Sequence, residues 1–178
     1  MATAGEAATA PIQKLHGAKI IAAIKQAGVD HILSVPDLHT SQGVLRPIST
    51  DNQLKLIRVC KEDECIGIAA GLTYGNIRSL ILIQYTGFLY AINAIRGVAC
   101  EQNMPICLMI GLLQKEPGVL PQNSKRFGLR IVEPMLDVLG IPHTLIETDD
   151  DVERIAPAIE HAYAHSHPTA ILIGGRAI

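Results

Sequence analysis

The sequence predicts a doubly wound α/β domain: a mostly parallel, six-stranded sheet with helices on both faces. Three observations carry this expectation. Segments of helical period alternate with short apolar runs from one end of the chain to the other. The runs are continuous rather than strictly alternating, as in SLILIQ at 79–84 and PICLMI at 105–110, which marks strands buried on both faces. At 178 residues the chain fits one compact domain with a sizeable core.

The elements follow in order. Residues 12–27 place Leu15, Ala18, Ile21, Ala22 and Ile24 on a helical stripe that Gly28 ends. Residues 31–35 read as a short strand closed by Pro36, and 40–48 as a helix or turn. Leu54, Leu56, Ile57 and Val59 mark a strand over 54–60. A buried helix over 63–74 leads to a central strand at 79–84, and a helix over 89–100 leads to another at 105–110. The polar stretch 114–129 is too long for a plain strand-to-helix connection and reads as a lid, mobile until a substrate orders it. Then come a short helix at 134–139, an edge-type strand at 143–146 and an amphipathic helix at 149–164. Asp149 and Asp150 stand at the positive end of that helix. A strand at 169–173 closes the sheet.

Composition narrows the function. Hydrophobic residues make up 48% and charged ones 18%, which points to strands buried on both faces, an extensive subunit interface, or both. Net charge is −2 with no basic run, and aromatic content is 3% with no Trp, so a nucleic acid partner is not expected. Cys60, Cys65, Cys100 and Cys107 lack metal-ligand spacing and read as reduced thiols. Residues 1–12 form an Ala-rich tail without the charged and apolar regions of a signal peptide, and no apolar run reaches membrane-spanning length. A cytoplasmic protein without a membrane partner is expected.

In open α/β sheets, ligands bind beyond the carboxyl ends of the strands, which here are 36–41, 61–64 and 85–90. The chain has no GxGxxG, no GxxxxGK[ST], no GxSxG and no HExxH. What stands out is VCKEDECIGIAAGLTYG at 59–75, an acidic cluster running straight into an apolar helix of small residues. A carboxylate there would be partly desolvated and its pKa raised, which suits proton exchange. The alternative is that Glu62, Asp63 and Glu64 simply favour a helix N-terminus. His161, His165 and His167 fall late in a helix, where the dipole favours them without any metal.

The acid followed by eight residues and Gly71, with Ala69-Ala70 before that glycine, resembles the pyrimidine-domain motif of thiamine diphosphate enzymes. The stretch Ile66 to Gly71 is most similar to the sulfopyruvate and phosphonopyruvate decarboxylase group. Counting back nine from Gly71 lands on Glu62. The likeness extends to Gly28-Val29-Asp30 through Val35-Pro36-Asp37, to Gln84-Tyr85-Thr86-Gly87 with Ile92-Asn93-Ala94, to Glu116-Pro117-Gly118, and to Leu136-Asp137 through Gly140-Ile141-Pro142. It thus covers nearly the whole chain from about residue 13. Tyr85, Leu89 and Tyr90 replace small or amide residues of the group, Asn123 stands where a His is common, and no Arg lies between Gly111 and Glu116. These departures bear on the substrate more than on the cofactor.

The resemblance implies a pyrimidine-binding domain over 13–178. Within it Glu62 would protonate the aminopyrimidine, and Gln84, Thr86 and Gly87 would contact the cofactor. Asp37, His39 and Gln122 would be substrate-side residues, with turn, capping and loop roles as the plain alternatives. In the family a Gly-Asp-Gly…Asn segment of a second domain holds the diphosphate and Mg²⁺, and this chain has no Gly-Asp-Gly. A separate diphosphate-binding beta subunit is therefore implied, in an α2β2 or larger assembly acting on a small 2-keto acid. A carbon–carbon lyase or carboligase subunit on the same cofactor, or a non-catalytic assembly module, are the competing readings.

Overall fold

The computed structural model describes residues 14–178, so the tail expected at 1–12 lies outside the described residues. In chain order the elements are α1 (Gly17–Gln26), β1 (His31–Ser34), a π-helical turn Ser41–Leu45, α2 (Arg46–Ile48), β2 (Lys55–Arg58) and α3 (Glu62–Tyr74). Next come β3 (Ser79–Gln84), α4 (Tyr85–Tyr90), α5 (Ile92–Ala94), a π-helical segment Ile95–Cys100, β4 (Cys107–Gly111) and a 3₁₀ turn Pro121–Asn123. The chain ends with α6 (Phe127–Arg130), α7 (Val132–Val138), β5 (His143–Ile146), a 3₁₀ segment Asp149–Arg154, α8 (Ile155–His165) and β6 (Thr169–Ile173).

Six strands form one sheet in the order β2-β1-β3-β4-β6-β5, and every neighbouring pair is parallel. The expected mostly parallel sheet is thus parallel throughout. Alternate side chains of each strand feed opposite cores. Ile32, Leu80, Leu82, Met109 and Ile171 pack with α1 and α8 on one face. Leu33, Ile81, Ile83, Leu108 and Leu172 pack with α3, α4 and α7 on the other. Both faces being covered, the strands need apolar residues at every position, which is why they read as unbroken runs.

Several elements depart from their expected form. β6 does not close the sheet. It inserts between β4 and β5, leaving β2 and β5 as edges, and these edge strands carry the polar Lys55, Arg58, His143 and Thr144. The helix expected from 89 begins at Tyr85, directly after Gln84, because Gly87 and Phe88 are drawn into the second core. The helix expected over 149–164 opens as 3₁₀, where the Asp151 carboxylate accepts from the backbone N–H of Glu147 (2.8 Å) and Thr148 (2.9 Å).

α3 was expected to be buried. Its inner face is, through Cys65, Ile66, Ala69 and Ala70, but Gly67, Ile68 and Gly71 are exposed, and a Cβ at Gly67 or Gly71 would meet nothing within 4 Å. Among the described residues no helix is long and apolar enough to cross a membrane.

The two ends of the described chain meet beside β6. Leu15 bridges Ala177, and Gly17 donates its N–H to the Ile178 carbonyl at 3.0 Å. Gly17 lies against the backbone of Gly43, which in turn lies against Ala177. A Cβ at position 17 would overlap the Gly43 carbonyl. Gly17→Ala is therefore expected to destabilise the fold by ~1–3 kcal/mol through overpacking, read from denaturant unfolding. A change within about 0.5 kcal/mol would contradict this packing.

Asp149 joins the same junction from the other side. It accepts from the His16 backbone at 2.8 Å and from Lys19 at 2.8 Å, and these bonds hold its carboxyl below the ordinary range, with the Lys19 bond the largest cause. For a depressed acid, the stabilisation is present above the unfolded pKa and is lost as pH falls through the folded value. Acid unfolding between about pH 5 and 2 should therefore be shallower in Asp149→Asn than in the parent. Parallel curves would show that the junction contributes nothing.

Candidate functional site

The carboxyl ends of β1 and β3 part company. After β1 the chain turns to the α1/α8 face, burying Val44, Leu45 and Ile48 there, whereas after β3 it turns to the opposite face with Phe88 and Ala91. β1 and β3 are neighbours, so a switch point opens between them, the position where ligands enter such sheets. The loop that carries Asp37 and His39 leaves β1 and reaches the ends of β4 and β6, at Gly111 and at Ile173 and Gly175, while Gln84 to Gly87 follow β3. Glu62 arrives from the end of β2 on the α3 side.

The three acids that open α3 have separate fates. Glu64 Oε2 accepts from the N–H groups of Cys60 (3.0 Å) and Lys61 (3.3 Å), the third-position carboxylate of a capping box. Asp63 has one carboxylate oxygen, Oδ1, buried without a partner. Glu62 is half-buried and makes no hydrogen bond among the described residues; its side chain lies on Gly87, where a Cβ would stand only 2.5 Å from Oε1. A side chain at position 87 would push the Glu62 carboxylate out of this position. One turn on, burial and then the charges of Glu62, Glu64 and Asp63 push the Cys65 thiol up to about 12, so it stays protonated.

On the other wall, Thr86 donates to Gln84 Oε1 at 2.8 Å, and Gln84 pairs in register with Gly111 of β4. Gly111 is where the loops converge: a Cβ there would stand 3.4 Å from Asp37 Oδ2 and from the His39 Cβ. The Asp37 carboxylate is engaged by its own loop. Oδ1 accepts from the backbone of His39 (2.5 Å) and Thr40 (2.9 Å), and Oδ2 from the Thr40 hydroxyl (2.5 Å). His39 is 8% exposed, and its Nε2 has no hydrogen-bond partner. Burial lowers its pKa and outweighs the nearby Asp37 carboxylate and the backbone of Ile173 and Gly175, so the ring is neutral at pH 7.

The 114–129 segment is tied down at several points. Lys115 is buried and ion-paired with Glu147, and Glu116 accepts from the Ser124 hydroxyl (2.7 Å) and the Lys125 N–H (3.1 Å). Gly128 lies against the Tyr85 ring, which joins α6 to the start of α4. Gln122 is exposed in the 3₁₀ turn and makes no hydrogen bond among the described residues. Sequence reasoning missed Gly111 and Gly128. The glycine that ends the PICLMIG run was the available signal for the first, and nothing local marked the second.

Two shallow clefts lie elsewhere, one of about 280 Å³ between α1 and α8 and one of about 310 Å³ beside Lys14 and His16. Neither is lined by Glu62, Gln84 or Asp37. His161 and His165 stack ring on ring at 4.1 Å, and among the described residues no three metal-ligating side chains gather.

No protein-family model matches the chain. It is 29% identical over 155 residues to the sulfopyruvate decarboxylase subunit alpha of Methanocaldococcus jannaschii, covering 84% of this chain and 88% of that one. The subunit alpha of Methanococcus maripaludis is 28% identical over 85% of this chain and 89% of its own length. A sulfopyruvate decarboxylase of Methanosarcina acetivorans is 27% identical over 87% of this chain but only 39% of its own, longer length. Over about 85% of its length, the chain is a sequence relative of the alpha subunits of sulfopyruvate decarboxylase.

Proposed function

We propose that the chain is the pyrimidine-binding alpha subunit of a cytoplasmic, thiamine diphosphate-dependent 2-keto acid decarboxylase that works only with a beta subunit. The observation that carries this reading is the Glu62 carboxylate, which the chain leaves without a hydrogen bond and seats directly on Gly87, where a Cβ would displace it from this position. A site for a flat ring with a basic nitrogen needs such a carboxylate and such a cradle, so the residues present fit the pyrimidine end of the cofactor. The likeness to alpha subunits supports the same reading.

When bound, thiamine diphosphate supplies the electron sink that lets the bond between a 2-keto carbon and its carboxylate break. Glu62 would hold and exchange a proton at N1′ of the pyrimidine ring. Gly87 keeps the approach open, and Gln84, with its amide oxygen held by Thr86, lines the adjacent wall. Asp37 would act through its loop, holding the neutral His39 at the junction with Gly111 on the substrate side.

The diphosphate and its Mg²⁺ would be held by the beta subunit, since this chain carries no Gly-Asp-Gly. The outer face of α3 suits that partner. It presents Gly67, Ile68, Gly71 and Tyr74, and no charged residue occurs between Glu64 and Arg78. An uncharged helix face of this kind lets another backbone approach closely. The longer Methanosarcina relative, matched over 39% of its length, supports an alpha-like segment working beside further polypeptide.

In the assembled enzyme, Glu62→Gln is expected to lower turnover ~10²–10⁴-fold while leaving assembly intact. Glu64→Gln, whose amide oxygen can still accept from the Cys60 and Lys61 N–H groups, and Asp63→Asn should each cost far less activity than Glu62→Gln. Equal losses in all three would reduce the cluster to helix-end electrostatics. The isolated chain should bind thiamine diphosphate weakly and turn nothing over. Tight, Mg²⁺-dependent binding to the chain alone, seen by calorimetry, would refute the two-subunit site.

A further inference from the structure

The edge of the sheet opposite the crevice carries a side-chain cluster that the decarboxylase reading does not use. α8 ends at His165, shortly before Thr169 opens β6. All the strands being parallel, this end of α8 lies at the edge where they start, away from Glu62 and Gln84. The inner side of α8, with Ile155, Ala156, Ile159 and Ala162, packs into the first core. His161 and His165 are both exposed. Residues four apart stand one above the other on a helix. Here the two imidazole rings stack with centroids 4.1 Å apart and planes 25° from parallel.

The helix dipole favours a basic group in the last turn, which accounts for His165 but not for a second ring laid against it. The hydrogen bonding shows what the pair presents. His165 Nδ1 lies 2.9 Å from the His161 carbonyl. A carbonyl oxygen only accepts, so Nδ1 carries the proton, and in the neutral ring Nε2 is left as a lone pair. Metal-binding histidines are held in this way, the far nitrogen donating to a backbone carbonyl while the near one meets the ion. The His161 ring makes no hydrogen bond among the described residues, so either of its nitrogens is available. The backbone beneath the pair is fixed. Ser166 ends the helix in the left-handed region at φ 50°, and the His167 N–H returns to the Ala162 carbonyl at 3.1 Å.

We propose that His161 and His165 form a chelating site for a transition-metal dication such as Zn²⁺, Ni²⁺ or Cu²⁺, which ties the last turn of α8. Two histidines at this spacing on one helix face are an established zinc-binding pattern. The second torsion of a histidine is a broad well, so small rotations of the two exposed rings bring a nitrogen of each onto one ion. Among the described residues no third ligating side chain gathers with them, so water completes the coordination. Imidazole nitrogen suits these ions and not Mg²⁺, which takes oxygen ligands, so the site is distinct from any that serves a diphosphate. The two nitrogens are held together only in the helical form, so the bound ion stabilises the folded chain. The proposal does not rest on the decarboxylase reading.

The experiment uses the full chain carrying Cys60→Ser, which removes an exposed thiol that would compete for the ion. Calorimetry with Zn²⁺ is expected to show one ion per chain, and excess Mg²⁺ should not displace it. His161→Ala and His165→Ala should each weaken binding by at least the ~10- to 100-fold that even an outer-shell partner commands. The double change His161→Ala with Ala164→His keeps the number of histidines but places them side by side, where they do not face each other. It should bind as weakly as His161→Ala. Zn²⁺ should raise the melting midpoint of the parent and leave these variants unmoved, and a chelator should reverse the rise. Circular dichroism without metal checks that each variant is folded, and His161→Gln replaces any that is not. No binding by the parent, unchanged affinity in His161→Ala or His161→Gln, or full affinity in the respaced chain overturns the site. An ion that binds through both histidines and leaves the melting midpoint where it was overturns the structural role.

Discussion

The sheet is parallel throughout and covered on both faces, and the rest of the molecule follows from that constraint. Parallel neighbours need crossovers, so every strand points its carboxyl end to the same edge, and each strand before β6 is followed by a helical segment. The two cores then decide which way each handover goes. Ile32 and Leu80 commit one side to α1 and α8, Leu33 and Ile81 the other to α3 and α4. The crevice between β1 and β3 exists because adjacent strands are committed to opposite sides.

Within that crevice, local economy separates the acids of one short cluster. A capping box consumes Glu64, and the loop after β1 consumes Asp37. Glu62 remains, its carboxylate available because no backbone donor reaches it and because position 87 has no side chain to displace it. Two carboxylates of the cluster are thus left unsatisfied, Glu62 on Gly87 and the buried Oδ1 of Asp63, and such groups mark a place where something else can bind.

The outer surface shows a comparable incompleteness. The α1/α8 side is studded with Lys19, Gln26, Glu153 and Glu160, whereas the opposite side exposes Ile68, Tyr74, Tyr90 and Phe127. Such an asymmetry suits a subunit that meets its partner through the α3 side, beside Glu62.

The sequence by itself determined the class of fold and most of its elements, because strands buried on both faces must be apolar at every position and helices must repeat near 3.6 residues. SLILIQ at 79–84 was legible for that reason, HTLI at 143–146 was read as an edge strand from its polar His143 and Thr144, and its spacing to Gly71 singled out Glu62 as a candidate. What local pattern could not carry was anything set by distant partners. That β6 inserts between β4 and β5 depends on which crossover packs on which face, and the exposure of Gly67 and Gly71 depends on what lies across from α3. The division of labour among Glu62, Asp63 and Glu64 was likewise invisible, since adjacent carboxylates look alike until a backbone donor or a glycine 25 residues away in sequence selects among them. The tertiary structure decided those matters because hydrogen-bond partners and close contacts are properties of neighbours in space.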